Sequence, residues 1–140
     1  MLNPKVLEAY EQTDYWCAGL GSNQDFVLNV NQMQPELNVV YGVFSTNCAA
    51  FITAWNPYSN VLSEQENNAR QAQLIKTLEA KGYSCLMAEG RPRTGDWKFE
   101  PSVFVPGLSQ EDARLIGQAF EQNAIVWVGA DCIPKLLVLV

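Results

Sequence analysis

A nearly unbroken apolar run occupies residues 48–55, close to the middle of the 140-residue chain. The run is rich in aromatic and β-branched residues, which is typical of a central strand that is buried on both faces. Asn56 and Pro57 follow it, and Pro57 ends the strand because proline has no N–H group to donate to a sheet. We therefore expect this segment at the centre of the fold.

Two helices and four more strands are predicted after this run. Ser63 begins a capping box that opens a helix over 63–81, and Gly82 closes that helix. Ser109 caps a second helix over 109–122. The strands are predicted at 83–89, 99–105, 124–128 and 135–140. The resulting order, β-α-β-β-α-β-β, is the split βαβ pattern of ferredoxin-like sandwiches with one extra strand. We expect an α+β two-layer sandwich, with the helices packed on a mixed, mostly antiparallel sheet.

The first part of the chain is predicted to extend this core. A helix is expected over 4–12, with short strands at 15–17 and 26–31. Apolar residues at i, i+3, i+4 and i+7 favour a helix over 37–44, although its Val-Val-Tyr sequence and a glycine leave a strand as the alternative. No linker divides the chain, so we expect a single domain over 1–140, in which 1–47 is an addition and 48–140 is the core.

Composition excludes several classes of function. The chain has 9 Lys+Arg against 15 Asp+Glu, a net charge of -6, which argues against a nucleic-acid binder. It has no histidine, so the usual zinc sites and Ser-His-Asp triads are excluded. No apolar run reaches the length of about 18 residues that suggests a membrane span, and the start of the chain lacks the basic and apolar regions of a signal peptide. The four cysteines are scattered. We expect a cytoplasmic protein with reduced thiols, no metal and no cofactor.

Polar residues fall on the inward face of the first long helix, near its N-terminal end. Leu74 and Leu78 define that face, and a rotation of about 100° per residue places Asn67 and Gln71 near its centre. Arg70 lies on its flank. Buried amides are costly unless they find hydrogen-bond partners. Either these residues tie the helix to neighbouring loops, or they line a pocket at the helix N-terminus.

The end of the apolar run and a later loop carry further polar residues. The run ends in hydroxyl, amide and aromatic residues before a helix N-terminus, a place where open sheets often bind ligands. The later loop holds two arginines, a tryptophan and a carboxylate, which suit an anionic or a flat ligand. An Asn-Pro turn and a solvated loop are the structural alternatives. With the helix, these segments supply eight candidate ligand-binding residues: Thr53, Asn56, Ser59, Asn67, Arg70, Trp97, Glu100 and Ser102.

A family resemblance is carried by segments that span most of the chain. They are Tyr10-Glu-Gln-Thr13-Asp-Tyr15, Ala50-Phe-Ile-Thr-Ala-Trp-Asn-Pro57 with Ser59, Asn67-x-x-Arg70, Glu100-Pro-Ser102 and Gln122-Asn-Ala-Ile-Val-Trp127. In these segments the chain resembles a bacterial family that is known only as a domain of unknown function. The resemblance implies a small, single-domain bacterial protein, and it implies no activity.

The first functional hypothesis is a pocket for a small polar or anionic ligand. Amides, hydroxyls and one arginine–glutamate pair, Arg70 with Glu100, would read the ligand without acid–base chemistry. A less favoured hypothesis is an enzyme that uses Glu100 as a general base and Arg70 as an electrostatic stabiliser. We assign no catalytic residue beyond this weak candidate, because without histidine the nearby serines have no visible base partner.

The alternative is an interaction module that binds no small ligand. Trp16, Tyr58 and Trp97 are candidate anchors for a protein partner, since aromatic residues are common at such interfaces. The apolar strand predicted near the C-terminus, with 136–140 as its apolar part, offers an open sheet edge, and such edges tend to be covered. A homodimer formed through this edge is a specific version of the hypothesis.

Overall fold

Residues 2–21, 23–95 and 98–140 are described by a computed structural model of the protein. The helices are α1 (Pro4–Glu11), α2 (Leu37–Phe44), α3 (Glu64–Ala80) and α4 (Gln110–Ala119). The strands are β1 (Thr13–Cys17), β2 (Phe26–Leu28), β3 (Ala49–Ile52), β4 (Leu86–Pro92), β5 (Glu100–Pro106), β6 (Ala124–Val128) and β7 (Lys135–Val138). They form one sheet in the order β2-β1-β4-β5-β3-β6-β7. The expected α+β class is confirmed.

Every strand pairing within the described residues is antiparallel. The expected mixed sheet is therefore wrong in this part of the chain, because each neighbouring pair, including the non-consecutive ones, runs in opposite directions. β1 and β2 lie beyond β4 and extend the same sheet. The N-terminal segment thus adds two strands to one side of the sheet that the later strands form.

β3 belongs to two hydrophobic cores, one on each face of the sheet. Ala49 and Phe51 pack into a cluster that includes α2, whereas Ala50 and Ile52 pack into a cluster that includes α3 and α4. All four residues of β3 are buried, so the prediction of a strand buried on both faces is confirmed. The helices do not form a single layer, because α2 packs on the face opposite to α3 and α4.

Serine caps fix the start of both long helices. The Ser63 hydroxyl oxygen accepts a hydrogen bond from the Glu66 N–H group at 3.1 Å. Ser109 does the same for Asp112 at 3.2 Å. α3 matches its predicted range to within one residue at each end. α4 ends three residues before its predicted end, and Glu121 then adopts a left-handed backbone conformation, with φ of 59°.

The segment 37–44 is a helix, so the favoured interpretation of its pattern is correct. β4 departs from its prediction, because it begins and ends three residues later than the expected strand at 83–89. Gly90, which follows the predicted strand, lies within β4 and pairs with Tyr15 of β1 and with Glu100 of β5. The sequence of β4 alone did not show that β1 would supply this second partner.

Candidate ligand-binding site

The loop after β3, residues 53–59, holds three non-glycine residues in left-handed backbone conformations. Asn56, Tyr58 and Ser59 have φ of 45°, 51° and 62°. Such conformations are uncommon for residues with a Cβ atom, and they persist where surrounding contacts impose them. We call this segment the strand-end loop. α3 binds Asn56, whereas the Tyr58 N–H group donates to the Glu121 carbonyl at 2.7 Å and Asn123 donates to the Ser59 hydroxyl.

Asn67 of α3 holds the strand-end loop through a reciprocal pair of hydrogen bonds. The Asn56 N–H group donates to Asn67 Oδ1 at 2.8 Å, and Asn67 Nδ2 donates to Asn56 Oδ1 at 2.8 Å. The Leu62 N–H group also donates to Asn56 Oδ1, at 3.1 Å. Asn67 is only 2% exposed. It lies on the inward face of the helix, as its position in the sequence indicates, and its amide is fully used in fixing the loop.

Gln71, one turn further along α3, binds the start of the same loop. Its Oε1 atom accepts from the Ala54 N–H group at 2.9 Å and lies 3.3 Å from the Thr53 hydroxyl. That hydroxyl also lies 2.7 Å from the Pro101 carbonyl oxygen, which joins the loop to β5. Gln71 Nε2 is buried and has no hydrogen-bond partner among the described residues.

Arg70 completes the set of loop contacts from α3. Its Nε atom donates to the Ala54 carbonyl at 2.9 Å, and a terminal nitrogen donates to the Phe120 carbonyl. Its other terminal nitrogen lies 3.4 Å from the Glu121 carboxylate. The pair that the sequence suggested, Arg70 with Glu100, is therefore replaced by Arg70 with Glu121. The guanidinium group thus reaches from α3 to the end of α4, where Phe120 and Glu121 bind its terminal nitrogens.

Glu100 begins β5 beside the strand-end loop. Burial raises the pKa of its carboxyl group to about 7, and hydrogen bonding from the Asn56 side chain acts in the opposite direction. Leu62 and Asn67 both donate to Asn56 Oδ1. The amide nitrogen of Asn56 is therefore the part that faces the carboxyl group. No cation forms an ion pair with Glu100 within the described ranges.

Tyr10 of α1 lies close to Glu100, although the two residues are far apart in sequence. Burial, and then the charge of Glu100, raise the pKa of Tyr10 to about 12, while hydrogen bonding to the backbone of Ala124 lowers it. The Tyr15 hydroxyl donates to the Tyr10 carbonyl at 2.6 Å, which ties α1 to β1. Thr13 ties the same turn by donating to the Ala9 carbonyl at 2.6 Å.

Gly90 leaves room beside Glu100. A Cβ atom added at Gly90 would lie 3.9 Å from the Glu100 Cβ atom and 3.9 Å from Thr13 Cγ2, which is ordinary van der Waals contact. An alanine side chain would therefore fit at Gly90 without a clash. Gly90 of β4 and Asn56 of the strand-end loop are thus neighbours of Glu100.

A family model described as "Protein of unknown function (DUF3293)" matches residues 52–125, just over half of the chain. The chain belongs to the DUF3293 family. The matched range contains the strand-end loop, α3 and Glu100, whereas Tyr10 lies before it. The resemblance to a family without a known function is thereby confirmed. No curated protein and no solved structure matches the chain.

Seven of the eight candidate residues of this DUF3293 protein lie in the described structure, four of them together and three at the margins. Thr53, Asn56, Asn67 and Arg70 meet at the strand-end loop, and Asn56 links them to Glu100. The side chains of Thr53, Asn67 and Arg70 are largely committed to internal hydrogen bonds. This arrangement supports the structural explanation of the helix amides.

The remaining candidates lie at the margins of the group. Ser102 is buried two residues along β5 and donates to the Glu100 carbonyl at 3.1 Å. Ser59 lies at the far end of the strand-end loop, where its hydroxyl accepts from Asn123 Nδ2 at 2.9 Å. Trp97 lies outside the described residues. Tyr10 was not among the candidates, although it belongs to the first segment that carries the family resemblance.

A cleft in the DUF3293 chain lies apart from the described candidates. It has a volume of about 210 Å³ and is lined by α1 and the β4–β5 loop, and none of the seven described candidates lines it. Its residues are Lys5, Glu8, Ala9, Gln12 and Thr94. Within the described ranges, no three metal-ligating side chains come together. The helices found there are too short or too polar to cross a membrane.

Proposed function

We propose that the chain binds a small polar ligand at Glu100, beside Asn56 and Gly90. The observation that carries this proposal is a half-buried carboxyl group with an amide beside it and no cation paired to it in the described structure. Buried carboxyl groups normally have a charged or strongly hydrogen-bonding partner. A ligand that donates hydrogen bonds would provide one.

The strand-end loop supports the proposal because it presents Asn56 in a fixed orientation. Binding groups work best when neighbouring contacts hold them in place before the ligand arrives. Asn67 and Leu62 bind the oxygen of the Asn56 side chain, which leaves its nitrogen directed at the site. The left-handed backbone of this loop is a strain of the kind that is common at functional sites.

The arrangement favours a hydrogen-bond donor as ligand over the anionic ligand considered first. An anion would need the positive charge of Arg70, but that guanidinium group is bound to Ala54, Phe120 and Glu121. The carboxyl group of Glu100 is itself an acceptor when it is ionised. A ligand with N–H or O–H groups therefore complements the site better.

A thermal-shift screen with polar metabolites tests the proposal, because a ligand that binds only the native state raises the melting temperature. We expect a stabilising compound whose effect disappears in the Glu100→Gln variant. Glu111→Gln is the matched control, since Glu111 is an exposed glutamate of α4. A shift that survives in Glu100→Gln as fully as in the control would refute binding at Glu100.

A second candidate function is homodimer formation through β7. This strand is the last in the sheet order, and Val138 and Val140 are 39% and 50% exposed. Unpaired apolar edges favour pairing with another strand. Light scattering over a range of concentrations tests this candidate, with Val138→Lys as the variant expected to weaken a dimer. A monomer at every concentration would refute it.

We also propose that β3-α3-β4-β5-α4-β6 is a ferredoxin-like unit. Within the sheet these strands lie in the order β4-β5-β3-β6, and α3 and α4 share one core cluster. Both features support a split βαβ arrangement. An experimental structure with another strand order would refute it. Such a fold would leave the function open, because one fold serves many functions.

A further inference from the structure

The geometry points to a docking surface for a basic amphipathic helix of another protein, on the side of the sheet that carries α3 and α4. We call this surface the open strip. It spans β2, β1, β4 and the start of β5, and its main side chains are Trp16, Val27, Met87, Glu89, Arg91 and Phe99. Glu100 lies on the opposite side of the sheet, so the open strip is separate from the ligand site proposed there.

The alternation of side chains along the strands brings the residues of the open strip together. Trp16 lies between two residues of β1 that belong to the hydrophobic cluster around α2, so it points to the other side of the sheet. Val27 lies between two such residues of β2. Met87 of β4 pairs with Val103 of β5, which belongs to the cluster around α3 and α4. All of these side chains therefore share the face on which the two long helices lie.

The long helices cover only part of that face. α3 packs on β5, and α4 packs on β3 and β6. β4 is the next strand after β5 and is paired along both edges, yet its Met87 side chain is 70% exposed. Phe99, directly before β5, is 53% exposed. Exposed apolar surface with polar residues around it marks interaction sites, so we expect a partner to cover this part of the sheet.

A stack of three side chains gives the open strip a fixed shape. The guanidinium carbon of Arg91 lies 4.5 Å from the centre of the Trp16 ring and 5.2 Å from the centre of the Phe99 ring. Arg91 Nε also donates to the Glu89 carboxylate at 2.8 Å. Tryptophan and arginine supply much of the binding energy at protein interfaces, and side chains that are held in place before binding lose less entropy. The stack is therefore suited to anchor a partner.

The size of the open strip fits one helix. Three strands about 4.8 Å apart give a width of about 14 Å, and a helix with its side chains is about 10–12 Å wide. Along β1, which has 5 residues, the strip is about 17 Å long, the length of roughly 11 helical residues. A helix placed there would lie beside α3 and extend the helical layer. The resulting area, about 240 Å², is well below the roughly 800 Å² that each partner buries in a stable dimer, so a second copy fits poorly.

The charges of the strip and of the whole chain define the chemistry of the partner. Arg91 pairs with Glu89, and at the border Arg93 lies 3.4 Å from Asp14, so the centre of the strip needs no counter-charge. An apolar stripe with residues at i, i+3, i+4 and i+7 matches such a centre. The chain carries a net charge of -6, which attracts lysine and arginine on the flanks of the helix.

The test is a titration of the full chain with a synthetic helical peptide of about 15 residues, followed by backbone amide chemical shifts. The peptide has leucine at i, i+3, i+4 and i+7 and lysine on its other face; a scrambled peptide and a glutamate-for-lysine peptide are the controls. We expect saturable shifts around Trp16, Met87 and Arg91 with the lysine peptide. Met87→Gln should weaken its binding about 10-fold, because a polar amide replaces an apolar side chain that the peptide buries. Met33→Gln is the matched control, since Met33 is 64% exposed outside the strip, and it should bind as wild type does.

Several results would contradict this inference. Equal binding of the scrambled or the glutamate peptide, an equal loss in Met33→Gln, or no saturable shift in the open strip would each overturn it. A dimer that protects Met87 without any peptide would also overturn it, because a second copy would then cover the strip. The lysine peptide should bind Glu100→Gln as it binds wild type, so failure of the peptide to bind leaves the proposed ligand site at Glu100 unaffected.

Discussion

Replacing Asn67 with alanine removes the main attachment between α3 and the strand-end loop. The substitution deletes both 2.8 Å hydrogen bonds to Asn56 and a weaker one, at 3.4 Å, to the Leu62 carbonyl. It also leaves the Asn56 N–H group without its partner. Because Asn67 is almost fully buried, water cannot replace its amide without entering the interior.

The expected loss of stability follows from these contacts. Each short hydrogen bond contributes about 1 kcal/mol net, and an unsatisfied, partly buried N–H group adds about 1–2 kcal/mol to the cost. Alanine is the better helix former, which returns about 0.6 kcal/mol. We therefore expect the free energy of unfolding to fall by about 3 kcal/mol in Asn67→Ala.

Urea denaturation followed by circular dichroism measures this change. Asn68→Ala is the control, because Asn68 is the exposed neighbour on the same helix and its replacement should change stability by less than about 0.5 kcal/mol. Asn67→Asp should cost at least as much as Asn67→Ala, because it turns an acceptor oxygen toward Asn56 Oδ1. If both Asn67 variants were as stable as Asn68→Ala, the loop attachment described above would be wrong.

Three further predictions concern neighbouring positions. The pKa of Glu100 is raised to about 7 from an ordinary 4.5, so between these pH values the native state keeps a proton that the unfolded chain has lost. The free energy of unfolding should therefore fall from pH 4.5 to 7, by at most about 3 kcal/mol. Urea denaturation of Glu100→Gln across that range should lack this decrease. Gly90→Ala should change stability by less than about 1 kcal/mol, whereas Gly117→Ala, whose Cβ atom would lie 2.6 Å from Leu139 Cδ1, should cost about 1–3 kcal/mol in urea denaturation. Arg70→Lys should lower the melting temperature, because one ammonium cannot replace the guanidinium bonds to two separate carbonyl groups.

The local elements were predictable because their signals lie within short segments. Serine caps at Ser63 and Ser109 marked the helix starts, and the apolar run at 48–55 marked the strand shared by both cores. The periodicity of 37–44 was enough to favour the helix that forms there. In each case the residues that decide the structure are close together in sequence.

The misjudged features depend on partners that are distant in sequence. Gly90 lies beyond the strand predicted at 83–89, yet it is a strand residue because β1 pairs with β4 through Tyr15. Arg70 was assigned to Glu100, yet the end of α4 brings Glu121 to it. Tyr10 was not predicted as a site residue, because α1 comes near Glu100 only through the pairing of β1 with the sheet. Contacts between segments that are distant in sequence decided all three features, and the periodicity of a single segment does not reveal such contacts.

The structural and functional explanations of the helix amides are linked through Asn56. Asn67, Arg70 and Gln71 each bind the strand-end loop, so their polar character on an inward helix face has a structural cause. They hold the loop in a left-handed backbone conformation at Asn56, and they leave the amide nitrogen of Asn56 directed at Glu100. Under the proposed function, this attachment holds Asn56 at a defined position beside the carboxyl group, so the buried amides support the proposed site rather than line it.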